Sequence, residues 1–245
     1  MPVELQVLVL GLASFVVGIL SGISGGGAGL VMMPLSIAVG LPPQTAVATM
    51  KMAGLGSAFG GLSVFVKSGH VRTDIVKIMA PIAIVIGLAT PFIFKSIDAG
   101  LFQNMLGIIL LVMAPTLFIK KKNLHPSKHK QGLGYVLYSG ILSLQALFGA
   151  GVGTLANFVL TLLFGTTKLE ANATKRAVTA ILAPLTFTGL LVTGFVSLPH
   201  GLALLIGSFM GTHIGSKIAV KKGEDFVTYA MVILAIVSGI WLLAS

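Results

Sequence analysis

The sequence predicts an all-α polytopic membrane protein made of two inverted repeats of about five helical elements each, with short glycine-initiated half-helices. Three observations support this fold class. First, 56% of the 245 residues are hydrophobic and only 9% are charged, and the mean hydropathy of +1.04 lies far outside the range of soluble domains. Second, long apolar runs recur along the chain. Third, two glycine clusters, each followed by a cation, repeat at a distance of 124 or 125 residues.

Eight apolar runs approach the length of a membrane-spanning helix, which needs about 20 residues to cross a hydrocarbon core of about 30 Å. Two others, 28–40 and 152–164, contain about 13 residues and cover roughly 20 Å. Each short run begins directly after a glycine cluster, so we expect half-helices or re-entrant segments that start inside the bilayer. The eight long runs are 5–22, 45–66, 76–94, 100–119, 133–148, 173–194, 199–217 and 226–244.

These runs divide the chain into a first membrane repeat at 1–119, a basic linker at 120–131 and a second membrane repeat at 132–245. The many cations of the linker predict that it faces the cytoplasm. Five elements in each half require the second repeat to be inverted. Ten alternating elements counted outward from the linker place nearly all other Lys and Arg residues on the same side, which independently supports this arrangement. If the two short runs instead turn back, the N-terminus moves to the cytoplasmic side.

The glycine clusters predict an anion site at the start of each half-helix. A helix that begins inside the membrane presents backbone N–H groups and the positive end of its dipole to a ligand. Glycine suits the approach because no Cβ keeps the ligand from the backbone. The alternative is close helix packing through small residues. The candidate residues are Gly25, Gly26, Gly27 and Gly29 in the first repeat, and Gly149, Gly151 and Gly153 in the second.

Lys51 and Arg176 occupy the same position in the repeated signature Ala-x-Ala-Thr-x-(Lys/Arg). A cation in the middle of the membrane costs roughly 2.5–3.5 kcal/mol, so its presence suggests an anionic ligand nearby. The alternative is snorkelling of the side chains to the membrane surface. Thr49, Thr174 and Asn157 are polar groups that suit sulfonate, sulfite or carboxylate oxygens, and interhelical hydrogen bonding is the alternative role for them.

The acidic residues and missing motifs narrow the function further. All six Asp and Glu residues fall at the ends of predicted spans or in loops, so the apolar runs offer no carboxylate for proton relay or cation coordination. Coupling to protons would have to use His213, Lys51 or the substrate itself. The chain has no catalytic triad, metalloprotease helix or phosphate-binding loop pattern. We therefore expect no enzymatic activity, no cofactor, no metal and no nucleic-acid partner.

The segment Gly22-Ile23-Ser24-Gly25-Gly26-Gly27-Ala28-Gly29-Leu30-Val31-Met32-Met33-Pro34-Leu35, followed by Gly40 and Ala46-x-Ala48-Thr49, resembles the TauE/SafE family of sulfite exporters and sulfonate permeases. The resemblance covers nearly the whole chain. It implies transport of small sulfur-containing anions, such as sulfite, sulfoacetate or other organosulfonates, across the cytoplasmic membrane of a prokaryote. It also implies that the glycines of the first cluster line the substrate region, with those of the second cluster opposite.

The leading hypothesis is a secondary transporter whose inverted halves hold an anion near the midplane and work by alternating access. An anion channel or uniporter is the alternative, and a membrane-embedded enzyme or assembly factor is a third reading. The expected partners are a small anionic substrate and membrane lipid. A proton as the coupling ion and a homo-oligomeric state are both compatible with the sequence.

Overall fold

A computed structural model of the chain describes residues 1–26, 28–97, 128–149 and 152–244, and within these ranges it contains helices and no strands. This confirms the predicted all-α class. The predicted run 100–119, most of the basic linker, Gly27 and Gly151 lie outside the described residues.

The helices follow the predicted order, including the two short ones. The short helices contain 11 and 12 residues and begin directly after the glycine clusters, as predicted. The last helix is interrupted by Gly223, whose backbone angles of φ 78° and ψ −171° are not helical, and this interruption separates the predicted runs 199–217 and 226–244. The helices are α1 Val3–Ser24, α2 Ala28–Ala38, α3 Pro43–Lys67, α4 Thr73–Ser96, α5 Lys128–Phe148, α6 Gly153–Phe164, α7 Lys168–Val192 and α8 Leu198–Ala244.

Several helices begin earlier than predicted, and the N-terminal residues of α7 and α3 give the reason for these two. α7 starts at Lys168 rather than at residue 173, since Thr167 and Glu170 form a capping box. The Glu170 N–H donates to Thr167 Oγ1 at 3.1 Å, and the Thr167 N–H donates to Glu170 Oε2 at 2.9 Å. α3 starts at Pro43, where the fixed φ of proline suits the first helical position. The predicted linker also ends earlier, because α5 already begins at Lys128.

Within the described ranges, four helical segments are long and apolar enough to cross a membrane: α1, α4, α7 and the Leu198–Gly223 part of α8. α3 has 25 residues, but its glycines and Lys51 keep its hydropathy just below that of this group. Large apolar side chains are exposed along the outer faces of α1 and α8, as expected where helices contact lipid. They include Leu5, Leu8, Leu12, Val16 and Leu20 on α1, and Leu202, Ile206, Phe209, Met210 and Ile214 on α8.

α1 and α8 pack backbone against backbone through facing glycines. A Cβ built on Gly22 would lie 2.7 Å from the Thr212 carbonyl oxygen and 2.8 Å from the Gly215 Cα. On the other side of the contact, a Cβ on Gly211 would overlap the carbonyl oxygen of Phe15. Small residues spaced four apart allow this close approach in membrane proteins. The contact fixes α1 against the far end of the chain.

The other helices assemble around α3 and α7. α3 packs against α7 and α8, while α4 packs against α7 and α5. One apolar cluster draws mainly on α1, α2 and the start of α3, and a second joins α4, α5, α6 and α7. This packing places the ends of α1 and α5 and the starts of α2 and α6 inside the molecule, next to α3 and α7.

We expect Gly211→Ala to lower the free energy of unfolding by about 1–3 kcal/mol, because the added methyl group forces α1 away from α8. The measurement is the thermal unfolding midpoint of the purified protein in detergent micelles. Gly140→Ala is the matched control, since a Cβ at Gly140 in α5 meets nothing within 4 Å. It should leave the midpoint unchanged or raise it slightly, because alanine favours helix over glycine. Equal losses for both variants would contradict the close contact.

Candidate functional site

The site is built at two interruptions of the helices, where the glycine clusters lie. α1 ends at Gly25, with φ 77°, and α5 ends at Gly149, with φ 72°. In this left-handed conformation, which glycine adopts readily, the Gly25 N–H donates to the Ser21 carbonyl at 2.8 Å. The Gly149 N–H likewise donates to the Gln145 carbonyl at 2.9 Å. Both helices therefore stop inside the protein, just before the short helices begin.

A cation from elsewhere in the chain reaches the end of each interrupted helix. Lys51 Nζ on α3 donates to the Gln145 carbonyl oxygen at 3.1 Å, and Arg176 Nη2 on α7 donates to the Ser21 carbonyl oxygen at 2.6 Å. Cations stabilise the negative end of a helix dipole and satisfy its terminal carbonyls. The two cations of the repeated signature thus occupy corresponding places, each at the end of a helix in the opposite half of the chain.

Arg176 is held by four hydrogen bonds and has an exposed fraction of 3%. Besides the bond to Ser21, Nε donates to Asn172 Oδ1 at 2.9 Å, and Nη1 donates to the Ser57 carbonyl at 2.7 Å and to Ser57 Oγ at 2.9 Å. Gly61 on α3 makes room for the guanidinium, since a Cβ there would lie 2.7 Å from Nε. The snorkelling alternative for Arg176 is wrong, because its charged group is bound inside the protein.

Lys175 is a third buried cation, which the sequence did not single out as a ligand. Its ammonium donates to the Gly153 carbonyl oxygen at 3.3 Å, and its exposed fraction of 6% compares with 7% for Lys51. A Cβ on Gly153 would lie 3.2 Å from Lys175 Nζ, and a Cβ on Gly149 would lie 3.3 Å from Lys51 Nζ. These two glycines leave the space that the two ammonium groups occupy.

One cavity of about 160 Å³ lies between the two interruptions. α3 contributes residues 50, 51, 53, 54, 57 and 58, and α7 contributes 175, 176, 179, 182, 183 and 186, which is the spacing of a single helix face. Its wall contains all three buried cations and, within the described residues, no carboxylate. Of the predicted ligands, the structure brings Gly26, Gly29, Lys51, Gly149, Gly153 and Arg176 to this wall, and it adds Ser14, Ser21, Ser57, Gln145, Lys175, Thr179, Thr186, Ser208 and Thr212 as polar neighbours.

The other predicted ligands within the described residues form bonds between segments instead of lining the cavity. Thr49 Oγ1 accepts the Ser197 N–H at 3.0 Å, and Thr174 Oγ1 accepts the Arg72 N–H at 3.0 Å. These hydroxyl groups therefore join the loop before α8 to α3 and the loop before α4 to α7.

Gly25, Asn157 and His213 also lie away from the cavity wall. Asn157 Nδ2 donates to the Gly25 carbonyl at 3.0 Å, and a Cβ on Gly25 would collide with this amide and lie 2.7 Å from Asn172 Cγ. Gly25 thus ends α1 in a left-handed conformation and packs against two asparagine side chains. The imidazole of His213 is 3.0 Å from Ser63 Oγ through Nδ1, outside the wall of the cavity.

The electrostatics of the cavity favour a negatively charged occupant. A buried cation without a counter-charge is unfavourable, and backbone carbonyls offset only part of that cost. Within the described residues, Arg72 and Asp74 form an ion pair at 2.7 Å, and their side chains are 37% and 59% exposed. Its hydrogen bond raises the pKa of Arg72. Neither residue lines the cavity, so an anion there would bring a counter-charge that the described wall lacks.

The family model described as Sulfite exporter TauE/SafE matches residues 10–242. The chain belongs to this family. The matched residues include both interruptions and all three buried cations, and the match agrees with the resemblance seen in the first glycine cluster. The chain is therefore a multi-pass membrane protein of a transporter family.

Curated relatives match along nearly their whole length. A "Probable membrane transporter protein" from Haemophilus influenzae is 29% identical over 229 residues, which cover 90% of this chain and 88% of the relative. The probable membrane transporter YfcA of Escherichia coli is 24% identical, covering 94% and 88%. YjnA of Bacillus subtilis, also named a probable membrane transporter, is 25% identical, covering 93% and 96%. No solved structure matches the chain.

We expect Arg176→Lys to lower the free energy of unfolding by about 2 kcal/mol or more, because one ammonium cannot replace a planar group that reaches α1, α3 and α7 together. Thermal unfolding in detergent micelles is the measurement. Arg72→Lys is the matched control. It makes the same exchange in an exposed ion pair, where the loss should stay below about 1 kcal/mol. Similar losses for the two variants would contradict the bridging role of Arg176.

Proposed function

We propose that the protein is a secondary transporter that moves small sulfur-containing anions, such as sulfite, sulfoacetate or other organosulfonates, across the cytoplasmic membrane of a prokaryote. The observation that carries the proposal is the cavity itself, where three buried cations face one space and the described wall has no carboxylate. Membership of the family supports transport as the function, and the positive charge of the cavity supports anions as the transported molecules.

We further propose that the two halves are inverted repeats, with the substrate held between them. Several matching features support this arrangement. Left-handed glycines recur at corresponding places as Gly25 and Gly149, Gly40 and Gly165, and Gly69 and Gly194. The contacts between halves are reciprocal too, since α4 packs on α5 and α7 whereas its counterpart α8 packs on α1 and α3. An inverted pair of halves can expose one central site to either side of the membrane by rocking, which is alternating access.

The size of the cavity suits small cargo. A protein cavity of about 150 Å³ can hold a molecule of the size of benzene, and the volume here is about 160 Å³. Sulfite fits with space to spare, and a two-carbon sulfonate fills more of the volume. The apolar residues of the wall, among them Val17, Met32 and Ala146, can contact a short carbon chain while the cations hold the charged oxygens.

Uptake of radiolabelled sulfite and sulfoacetate into proteoliposomes tests the proposal. We expect Lys51→Met to lower the initial rate at least about tenfold, because the anion loses a charge-assisted hydrogen bond in a buried site. Lys77→Met is the matched control, since Lys77 on α4 is exposed and does not line the cavity. It should transport at the wild-type rate.

Preloading the vesicles separates a transporter from a channel. Under alternating access, unlabelled substrate inside should accelerate the entry of labelled substrate, whereas a channel shows no such exchange. Uptake of none of the sulfur anions by wild type, or equal uptake by the Lys51 and Lys77 variants, would contradict the proposed substrate or the proposed site respectively.

A further inference from the structure

The second interruption is flanked by two ammonium groups, one on each side. Lys51 Nζ bonds the Gln145 carbonyl at the end of α5, and Lys175 Nζ bonds the Gly153 carbonyl at the start of α6. Both side chains line the cavity and both are buried. The ammonium groups reach the interruption from different helices, α3 and α7, so they approach the same short segment from two directions.

The two lysines differ from Arg176 in how many of their donors the protein uses. An ammonium has three N–H donors, and each lysine spends one on a backbone carbonyl within the described part of the chain. The guanidinium has five N–H donors, and four hydrogen bonds already join it to Asn172, Ser57 and Ser21. Arg176 is thus committed to joining helices, while Lys51 and Lys175 keep donors for a molecule in the cavity.

We propose that the cavity takes a dianion and that Lys175 is the residue that selects the second negative charge. This inference rests on the proposed function and narrows its substrate class. Two ammonium groups with donors to spare match two negative charges, and the described wall provides no carboxylate to neutralise either of them. A monoanion leaves one buried ammonium without a counter-charge, which is unfavourable in a site of low dielectric. A small molecule with an anionic group at each end satisfies both.

Gly153 supports the assignment independently of the charge count. A Cβ at this position would lie 3.2 Å from Lys175 Nζ, closer than ordinary van der Waals contact, although the helical backbone of Gly153 itself tolerates alanine. Glycine at the start of α6 therefore leaves the ammonium its place beside the cavity. Gly153→Ala displaces the charge of Lys175 without removing it, which makes it a second variant for the experiment.

The experiment compares the binding of a dianion and a monoanion of similar size to the purified full chain in detergent at neutral pH. Sulfoacetate and propane-1-sulfonate are the probes, and isothermal titration calorimetry gives their dissociation constants. We expect wild type to bind sulfoacetate about 30-fold more tightly. Lys175→Met should reduce this preference to about threefold, mainly by weakening sulfoacetate binding. Gly153→Ala should reduce it in the same direction, and Lys77→Met should leave it unchanged.

The outcomes separate this inference from the proposed function. Equal affinity of wild type for the two probes overturns the dianion inference but leaves an anion transporter in place. Binding of neither probe, together with absence of transport, overturns the proposed function. A dianion preference that survives in both Lys175→Met and Gly153→Ala overturns the role of Lys175. If Lys175→Met does not fold, as judged by size-exclusion chromatography, Gly153→Ala and the wild-type preference still decide the question.

Discussion

The hydrogen bonds from Lys51 and Arg176 to helix-terminal carbonyls are the interactions on which the interior of this protein depends. Two helices end inside the molecule, at Ser21 to Gly25 and at Gln145 to Gly149, where their last carbonyls need hydrogen-bond donors from outside the helix. A basic side chain from across the molecule meets each of them. The same bonds hold the cations in place beside the cavity, so the support of the backbone and the charge of the site come from the same residues.

The two interruptions are related in sequence but differ in their surroundings. Amide and hydroxyl groups of Asn157, Asn172 and Thr154 press against Gly25 and Gly26, leaving no room for even a methyl group. At the second interruption, the neighbours of Gly149 and Gly153 are ammonium groups that also face the cavity. At the first interruption, neutral amide and hydroxyl groups therefore pack around the glycines while the Arg176 guanidinium bonds the Ser21 carbonyl, whereas at the second the glycines themselves contact ammonium groups. The repeated signature thus brings a guanidinium to one interruption and ammonium groups to the other.

The sequence was sufficient to locate the short helices, because an apolar run too short to cross and preceded by glycines has few other structural solutions. It also identified Lys51 and Arg176 as candidate site residues, since a cation in an apolar segment is unfavourable without a partner. It could not identify Lys175 as a wall residue, because the helix start that it approaches lies on a different segment. Thr49, Thr174 and Asn157 fit the same chemical pattern, yet they face neighbouring loops and helices. The face that a polar residue presents depends on packing between distant segments, which residue type and spacing do not encode.

The glycine contact between α1 and α8 has a consequence for the assembly of the chain. Phe15, Gly18 and Gly22 belong to the beginning of the sequence, and Gly207, Gly211 and Gly215 lie about two hundred positions later. During synthesis α1 enters the bilayer long before α8 is made. Until then, the glycine face of α1 has no partner helix. This contact joins segments far apart in sequence, so the cavity wall, to which both helices contribute, forms only after α8 has been inserted.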